Sequence, residues 1–247
     1  MKKWSAFIAS FLGIYLVLLI VLMPAGVVFN WLTLPKNIQL GDVSGSIWQS
    51  KVSAIKVDNI VITNVGAKLD FFSLFLWDPK IDVTFGDALI SGPEGKATIS
   101  GVLSTLKLSA VRVNINADFI AQQINLPLPI KAHDFIDISL DEYIAGNALC
   151  SALKGNIAWS KAAVTALDEK ISLGKLSADI SCQSGDVVVK LAENNDLGLS
   201  FTASVGKGFA MSGDGYLTPN EKTPDAIRQV LPFLGKTDNQ GRYRLRF

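Results

Sequence analysis

Apolar and polar residues alternate in short runs from Leu40 to Phe209, and Gly, Asn, Asp or Ser separate the runs. Successive side chains of a strand point to opposite faces, so a period of two predicts strands with one apolar and one polar face. The runs are Ile55–Ile62, Lys80–Phe85, Ala97–Ser100, Leu106–Ile115, Ile171–Leu173, Leu176–Ile180, Val187–Leu191 and Leu197–Phe201. Their spacing predicts a mainly β domain, a sequential antiparallel sheet built as a sandwich or an open roll. Hairpin turns are expected at Ser184-Gly185-Asp186, Asn194-Asn195-Asp196 and Gly213-Asp214-Gly215.

Helical signals are few in this region. Ala117–Ile124 gathers Phe119, Ile120, Gln123 and Ile124 near one face before Pro127 and Pro129, which predicts a short crossover helix. A second helix is predicted from Pro224 to Leu231, with Thr223 as N-cap and Pro232 as terminator. Phe71–Trp77 is too apolar for an exposed strand and reads as a short buried helix or a strand buried on both faces. Gly45-Ser46-Ile47-Trp48 followed by Ser50-Lys51 is echoed by Gly155-Asn156-Ile157-Ala158-Trp159 followed by Ser160-Lys161. The echo reads either as two related halves, 38–115 and 150–247, joined by Asn116–Asp137, or as a chance resemblance, since its tryptophans are out of register by one position.

The N-terminus obeys different rules. Trp4–Phe29 is almost unbroken apolar sequence behind Lys2 and Lys3, and only Ser10 and Tyr15 interrupt Ala6–Met23. As a helix rising roughly 1.5 Å per residue, such a run crosses the ~30 Å hydrocarbon layer. The competing reading is a cleaved signal peptide with its exit near Met23-Pro24-Ala25-Gly26. Signal h-regions run about 7–15 residues, and this one is longer and aromatic in its first half, which favours an uncleaved anchor. Trp31 suits the interface belt, and the lysines ahead of the run place residues 1–3 in the cytoplasm. The expected order is therefore cytoplasmic 1–3, transmembrane 4–29 and exported 30–247.

Charge and cysteine content narrow the partners. The net charge is +1, with no cationic block interleaved with aromatics, which argues against nucleic acid. Arg242, Arg244 and Arg246 form the one dense basic stretch, expected on one face of an edge strand, either solvated or docked on an acidic surface. Cys150 and Cys182 are the only cysteines, and an even pair on the exported side is expected to be a disulfide. They lack clustered histidines for zinc and the Cys-x-x-Cys spacing of a redox pair.

No conventional catalytic constellation emerges. His133 is the single histidine and no Gly-x-Ser-x-Gly elbow accompanies it, so a solvated loop position is expected. Asp137, Asp141 and Glu142 read as surface turns. Gly86-Asp87 and Gly92-Pro93-Glu94-Gly95 lack the Lys-Ser/Thr and following helix of a phosphate loop and also read as turns. Neither catalytic residues nor a metal or cofactor site is expected. Apolar surplus remains at Phe71–Trp77, Leu126–Ile130 and Leu231–Leu234, as core plugs or as a surface for membrane, lipid or protein.

One N-terminal span, then Gly41-Asp42-Val43-Ser44-Gly45-Ser46-Ile47-Trp48 opening a β-rich domain, then Gly241-Arg242-Tyr243-Arg244-Leu245 near the end, resembles the protein N family of bacterial type II secretion systems. Within this pattern Gly45, Ile47 and Trp48 form the most specific motif; the family commonly has glycine two residues after the tryptophan, where this chain has Ser50. The resemblance implies a single-pass inner-membrane protein of a Gram-negative bacterium with its bulk in the periplasm. It also implies a non-enzymatic accessory role and contact with other inner-membrane and periplasmic secretion components. Arg242, Tyr243, Arg244 and Leu245 are then a candidate edge for a partner strand. The alternative expectation is a periplasmic module that handles lipid in an apolar groove.

Overall fold

A computed structural model describes residues 2–31, 37–58, 60–87, 90, 92–101, 105–122, 130–166 and 168–246. One antiparallel sheet of fifteen strands dominates it. The strands are β1 Ile38–Leu40, β2 Val43–Gly45, β3 Gln49–Val57, β4 Ile60–Leu69, β5 Lys80–Phe85, β6 Glu94–Ser100, β7 Lys107–Asn116, β8 Ile130–His133, β9 Phe135–Ile144, β10 Ala152–Ala166, β11 Glu169–Gln183, β12 Asp186–Leu191, β13 Leu199–Val205, β14 Met211–Leu217 and β15 Tyr243–Arg246. Neighbours in sequence are neighbours in the sheet, except that β1 and β2 both pair with β3 and β8 and β9 both pair with β10. Each exception is one interrupted strand: Gly41-Asp42 separates β1 from β2, and Asp134, at φ +66°, separates β8 from β9.

The registers explain why a period of two dominates the sequence. Directly paired residues of antiparallel strands share a face. One row runs Phe85, Gly95, Val113, Ile138, Ile157, Ala178, Leu191 across seven strands. The adjacent row runs Ser44, Lys51, Gly66, Thr84, Lys96, Arg112, Ser139, Asn156, Asp179, Lys190, Thr202, Asp214, Arg246 across thirteen. Pleating turns the first row to one face and the second to the other, so the sheet is apolar on one side and polar on the other.

Among the described residues all fifteen strands belong to one continuous sheet and no separate second sheet is present. Phe85, Val113, Ile138 and Ile157 are half-buried, and the buried core consists of small or medium side chains such as Val52, Val111, Ala163, Ala178, Ile180 and Leu217. Stability on such a surface is distributed, with each apolar cross-strand pair contributing roughly 0.2–1 kcal/mol.

Several expectations are corrected. Ile55–Ile62 is two strands joined at Asp58, whose φ of +52° makes a turn. Gly213-Asp214-Gly215 lies inside β14 instead of turning; a Cβ on Gly215 would meet the Ser200 carbonyl and Phe201, so the glycine serves close strand approach. Ile171–Leu173 and Leu176–Ile180 are one strand, β11, running through a bulge at Gly174 opposite Ala162. Asp137, Asp141 and Glu142 are strand residues of β9, so the connector ends earlier than Asp137. Asn194–Asp196 does lie between strands, and Ser184-Gly185 makes the tight turn between β11 and β12.

Among the described residues five α-helices, α1 Lys2–Val21, α2 Ala25–Trp31, α3 Phe71–Phe75, α4 Ala117–Ala121 and α5 Asp225–Val230, and two short 3-10 helices, Lys207–Phe209 and Leu231–Leu234, complete the elements. Pro24 separates α1 from α2 where its missing N–H interrupts the ladder. The side chains of α1 are described without a break only over Ser10–Val21, and among the described residues no helix is long and apolar enough to cross a membrane. The crossover helix ends at Ala121, with Asn116 capping it through the Asp118 N–H; Leu126–Pro129 lie outside the described residues. α5 starts later than expected, and Thr223 is not its cap. The buried Thr223 hydroxyl instead accepts from the Asn220 N–H at 2.9 Å and faces the Leu197 carbonyl.

Candidate functional site

The Gly45–Trp48 motif is a joint. Ser46 and Gln49 exchange backbone hydrogen bonds at 3.1 and 3.2 Å, which leaves Ile47 and Trp48 at the tip of the β2–β3 hairpin. Gly45 has φ +87° and lies opposite Ser50; a Cβ there would collide with the Gln49 carbonyl, so the turn requires glycine. Ser50 is buried at 7% exposure, and its small side chain fits between Gly45 and Ala67. The hairpin tip grips the end of the N-terminal helix. The Ile47 N–H donates to the Met23 carbonyl at 3.1 Å, and Trp48 Nε1–H donates to the Ile20 carbonyl at 3.3 Å. Pro24 also bridges Ser46. The Ile20 carbonyl also accepts the Met23 N–H at 3.4 Å in the closing turn of the helix, so the indole is its second donor and ties that turn to the hairpin.

Next to this joint stands α3. Asp70 caps it by accepting the Phe72 N–H at 3.0 Å. Ser73, 3% exposed, donates to the Asp70 carbonyl at 2.6 Å and accepts from the Lys80 N–H at 2.9 Å, pinning the helix to the start of β5. Phe71 contacts Trp48 edge to face with ring centroids 5.2 Å apart. The segment is helical, as one of its two readings had it, but it is not buried: Phe72, Phe75, Leu76 and Trp77 are 75%, 70%, 78% and 92% exposed. Its anchoring is polar and short-range, so the apolar side chains are left projecting outward.

Cys150 and Cys182 form a disulfide that closes a loop of sequence separation 32, with Cα atoms 6.0 Å apart. It ties the chain ahead of β10 to the end of β11. At the other limit of the sheet, β15 carries Tyr243, Arg244 and Leu245, and β15 pairs with β14 alone. Arg244 bonds Asp214 at 2.9–3.0 Å, which raises its pKa. Arg242 lies outside the strand, 4.2 Å over the Tyr216 ring and 2.8 Å from Asp238. The Arg242 backbone N–H, first, and its guanidinium hold the Asp238 carboxyl below the usual aspartate range. Arg242 and Arg244 are therefore engaged within the fold.

His133 belongs to β8, not to a loop; its Nε2 meets Thr165 Oγ1 at 2.8 Å and its carbonyl accepts Trp159 Nε1–H at 2.9 Å. Asp118 is committed to the Ala132 N–H and to Gln122. Gly155 and Trp159 lie within β10, whereas Gly45 and Trp48 shape a turn, so the two echoing segments occupy different local structures. Among the described residues no three His, Cys, Asp or Glu side chains group as a metal site.

One continuous antiparallel sheet, apolar on one face and polar on the other across its central strands and bonded to an N-terminal helix, defines a mainly β protein built on a single sheet. The family described as Type II secretion system (T2SS), protein N, matches residues 36–246, and the chain belongs to that family. It is similar to the Type II secretion system protein N of Aeromonas hydrophila, 29% identical over 254 residues that cover 100% of this chain and 98% of the relative. The protein of that name from Vibrio cholerae serotype O1 is 22% identical, covering 98% and 97%. That of Pectobacterium carotovorum subsp. carotovorum is 22% identical, covering 87% and 84%. No solved structure matches the chain. The protein is a type II secretion component by family.

Proposed function

We propose that the protein is a non-catalytic accessory component of a type II secretion apparatus, anchored in the inner membrane by residues 4–29, with residues 1–3 cytoplasmic and the sheet, 30–247, in the periplasm. The observation that carries this reading is the family match over residues 36–246, which takes in all fifteen strands. The 20-residue helix α1, apolar beyond its first lysines, supports the anchor, and the Cys150–Cys182 disulfide suits an oxidising compartment. The sheet then binds other inner-membrane and periplasmic secretion components through its exposed edges, because an unpaired strand offers a row of backbone donors and acceptors. Arg242, Tyr243, Arg244 and Leu245 are the candidate edge. Alkaline phosphatase fused after Phe247 should be active in cells, and the chain should keep its N-terminus; a cytosolic fusion or a mature form starting near Gly26 contradicts the topology.

A second reading is favoured by one observation, the half-buried apolar row that crosses seven strands of the one sheet formed by the described residues. Such a face suits acyl chains. Full-length protein extracted in detergent and analysed by mass spectrometry distinguishes the two: stoichiometric phospholipid retained against detergent favours the lipid module, and lipid-free protein that captures secretion components favours the scaffold.

A further inference from the structure

We propose that the exposed apolar surface of α3 is a second membrane contact, lying in the headgroup layer of the leaflet from which α1 emerges; this rests on the anchor reading above. Phe72, Phe75, Leu76 and Trp77 lie within six residues of one another and are each at least 70% exposed, whereas Ile90, Phe135 and Met211, the other large apolar side chains of the described sheet domain more than half exposed, are separate in sequence. The cluster is held in place, because Asp70 caps the helix and Ser73 fastens it to β5. Trp77 adopts φ +56° at the helix end, a position glycine fills at less cost, and it is 92% exposed. A residue strained into full exposure is chosen for what it touches.

Position identifies the occupant. Phe71, the base of the cluster, packs on Trp48, and Trp48 is hydrogen-bonded to the Ile20 carbonyl in the last turn of α1. The cluster therefore sits one aromatic ring away from the end of α1, and the break at Pro24, inside the apolar run 4–29, makes that end the exit from the hydrocarbon on the anchor reading. Aromatic side chains favour that interfacial layer. The flanking charges are Asp70, Asp78 and Lys80, too few and too mixed to select anionic lipid, so the contact is apolar insertion into a phospholipid surface of either charge.

Full-length protein reconstituted in phosphatidylcholine vesicles, with and without phosphatidylglycerol, tests this. An environment-sensitive nitrobenzoxadiazole label is placed at Phe75→Cys, at Leu16→Cys in α1 and at Met211→Cys, with the native disulfide intact. The expected result is blue-shifted emission, quenched at least twofold by brominated lipid, at both Leu16 and Phe75 in either lipid mixture, while Met211 stays aqueous. Adding Phe72→Ser and Trp77→Ser should abolish quenching at Phe75 while the circular dichroism of the sheet is kept, since neither side chain is buried and Phe72 loses only its edge contact with Phe71. A lipid-buried Leu16 label with an aqueous Phe75 label overturns the proposal alone, whereas an aqueous Leu16 label overturns the anchor reading beneath it. Shielding of Phe75 without lipid quenching, rising with protein density, assigns the surface to another protein or a second copy and overturns the proposal.

Discussion

At the scale of single residues, Gly45 and Trp48 perform separable tasks. Gly45→Ala forces a left-handed backbone and a clash with the Gln49 carbonyl, and should cost at least about 1–2 kcal/mol of stability in denaturant unfolding. Trp48→Phe keeps a ring for Phe71 but removes the donor to Ile20, so it should loosen the helix joint while leaving the sheet intact; faster amide exchange confined to residues 20–27 is the readout. Replacing Cys150 and Cys182 with serine should lower stability by about 3–4 kcal/mol, the loop-closure contribution for this sequence separation. Asp238 gives the pH dependence. Its folded pKa is depressed, so the contribution of its contact with Arg242 is present above the unfolded value and is lost only as pH falls through the lower, folded one. The loop at 238–242 should stay closed in mild acid and open below the usual aspartate range, a step that Asp238→Asn abolishes in amide exchange.

Elements carry the contrast between what is legible in sequence and what is not. β5 is readable because Ile81, Val83 and Phe85 fall at every second position, and β7 and β11 because Val111, Val113 and Ile115 and Leu176, Ala178 and Ile180 do so beyond their bulges; β12 is legible from its β-branched run Val187–Val189. Their sidedness makes a further prediction: Ile138→Ser, on the apolar row, should cost about 1–3 kcal/mol, whereas Ser139→Thr, one residue along on the polar row, should stay within about 0.5 kcal/mol in thermal unfolding. β9 is hidden because Asp137, Asp141 and Glu142 crowd its sequence, and acidic density reads as a turn when pairing with β7 and β10 cannot be seen. The exposure of α3 is hidden for the opposite reason. Apolarity alone says bury, and only the path from Ile20 through Trp48 to Phe71 says what lies beside it. The motif around Trp48 is recognisable in sequence, but its grip on a helix 28 residues earlier is a product of the fold.

At the scale of the whole molecule, a wide single sheet gains little from a thick core and much from continuity of its rows. Its two limits are unlike. At one limit the helix joint holds the β2 hairpin tip, with Ala25 of α2 buried, while β15 ends the other limit with four residues. On the scaffold reading, partner strands add at β15, next to Tyr243 and Leu245. Deleting Gly241–Phe247 should reduce secretion of exported substrate while the purified protein keeps the circular dichroism of a folded sheet; loss of the sheet signal would make the segment part of the fold instead. The most direct measurement is in-cell photocrosslinking with mass spectrometry, with the crosslinker placed along the polar row at Lys51, Lys96, Arg112 and Lys190 and along β15 at Arg244 and Arg246. Crosslinks to other secretion components, clustered at β15 and the strands beside it, are expected; a set of positions that yields no secretion component on either the row or the edge would contradict a scaffold role.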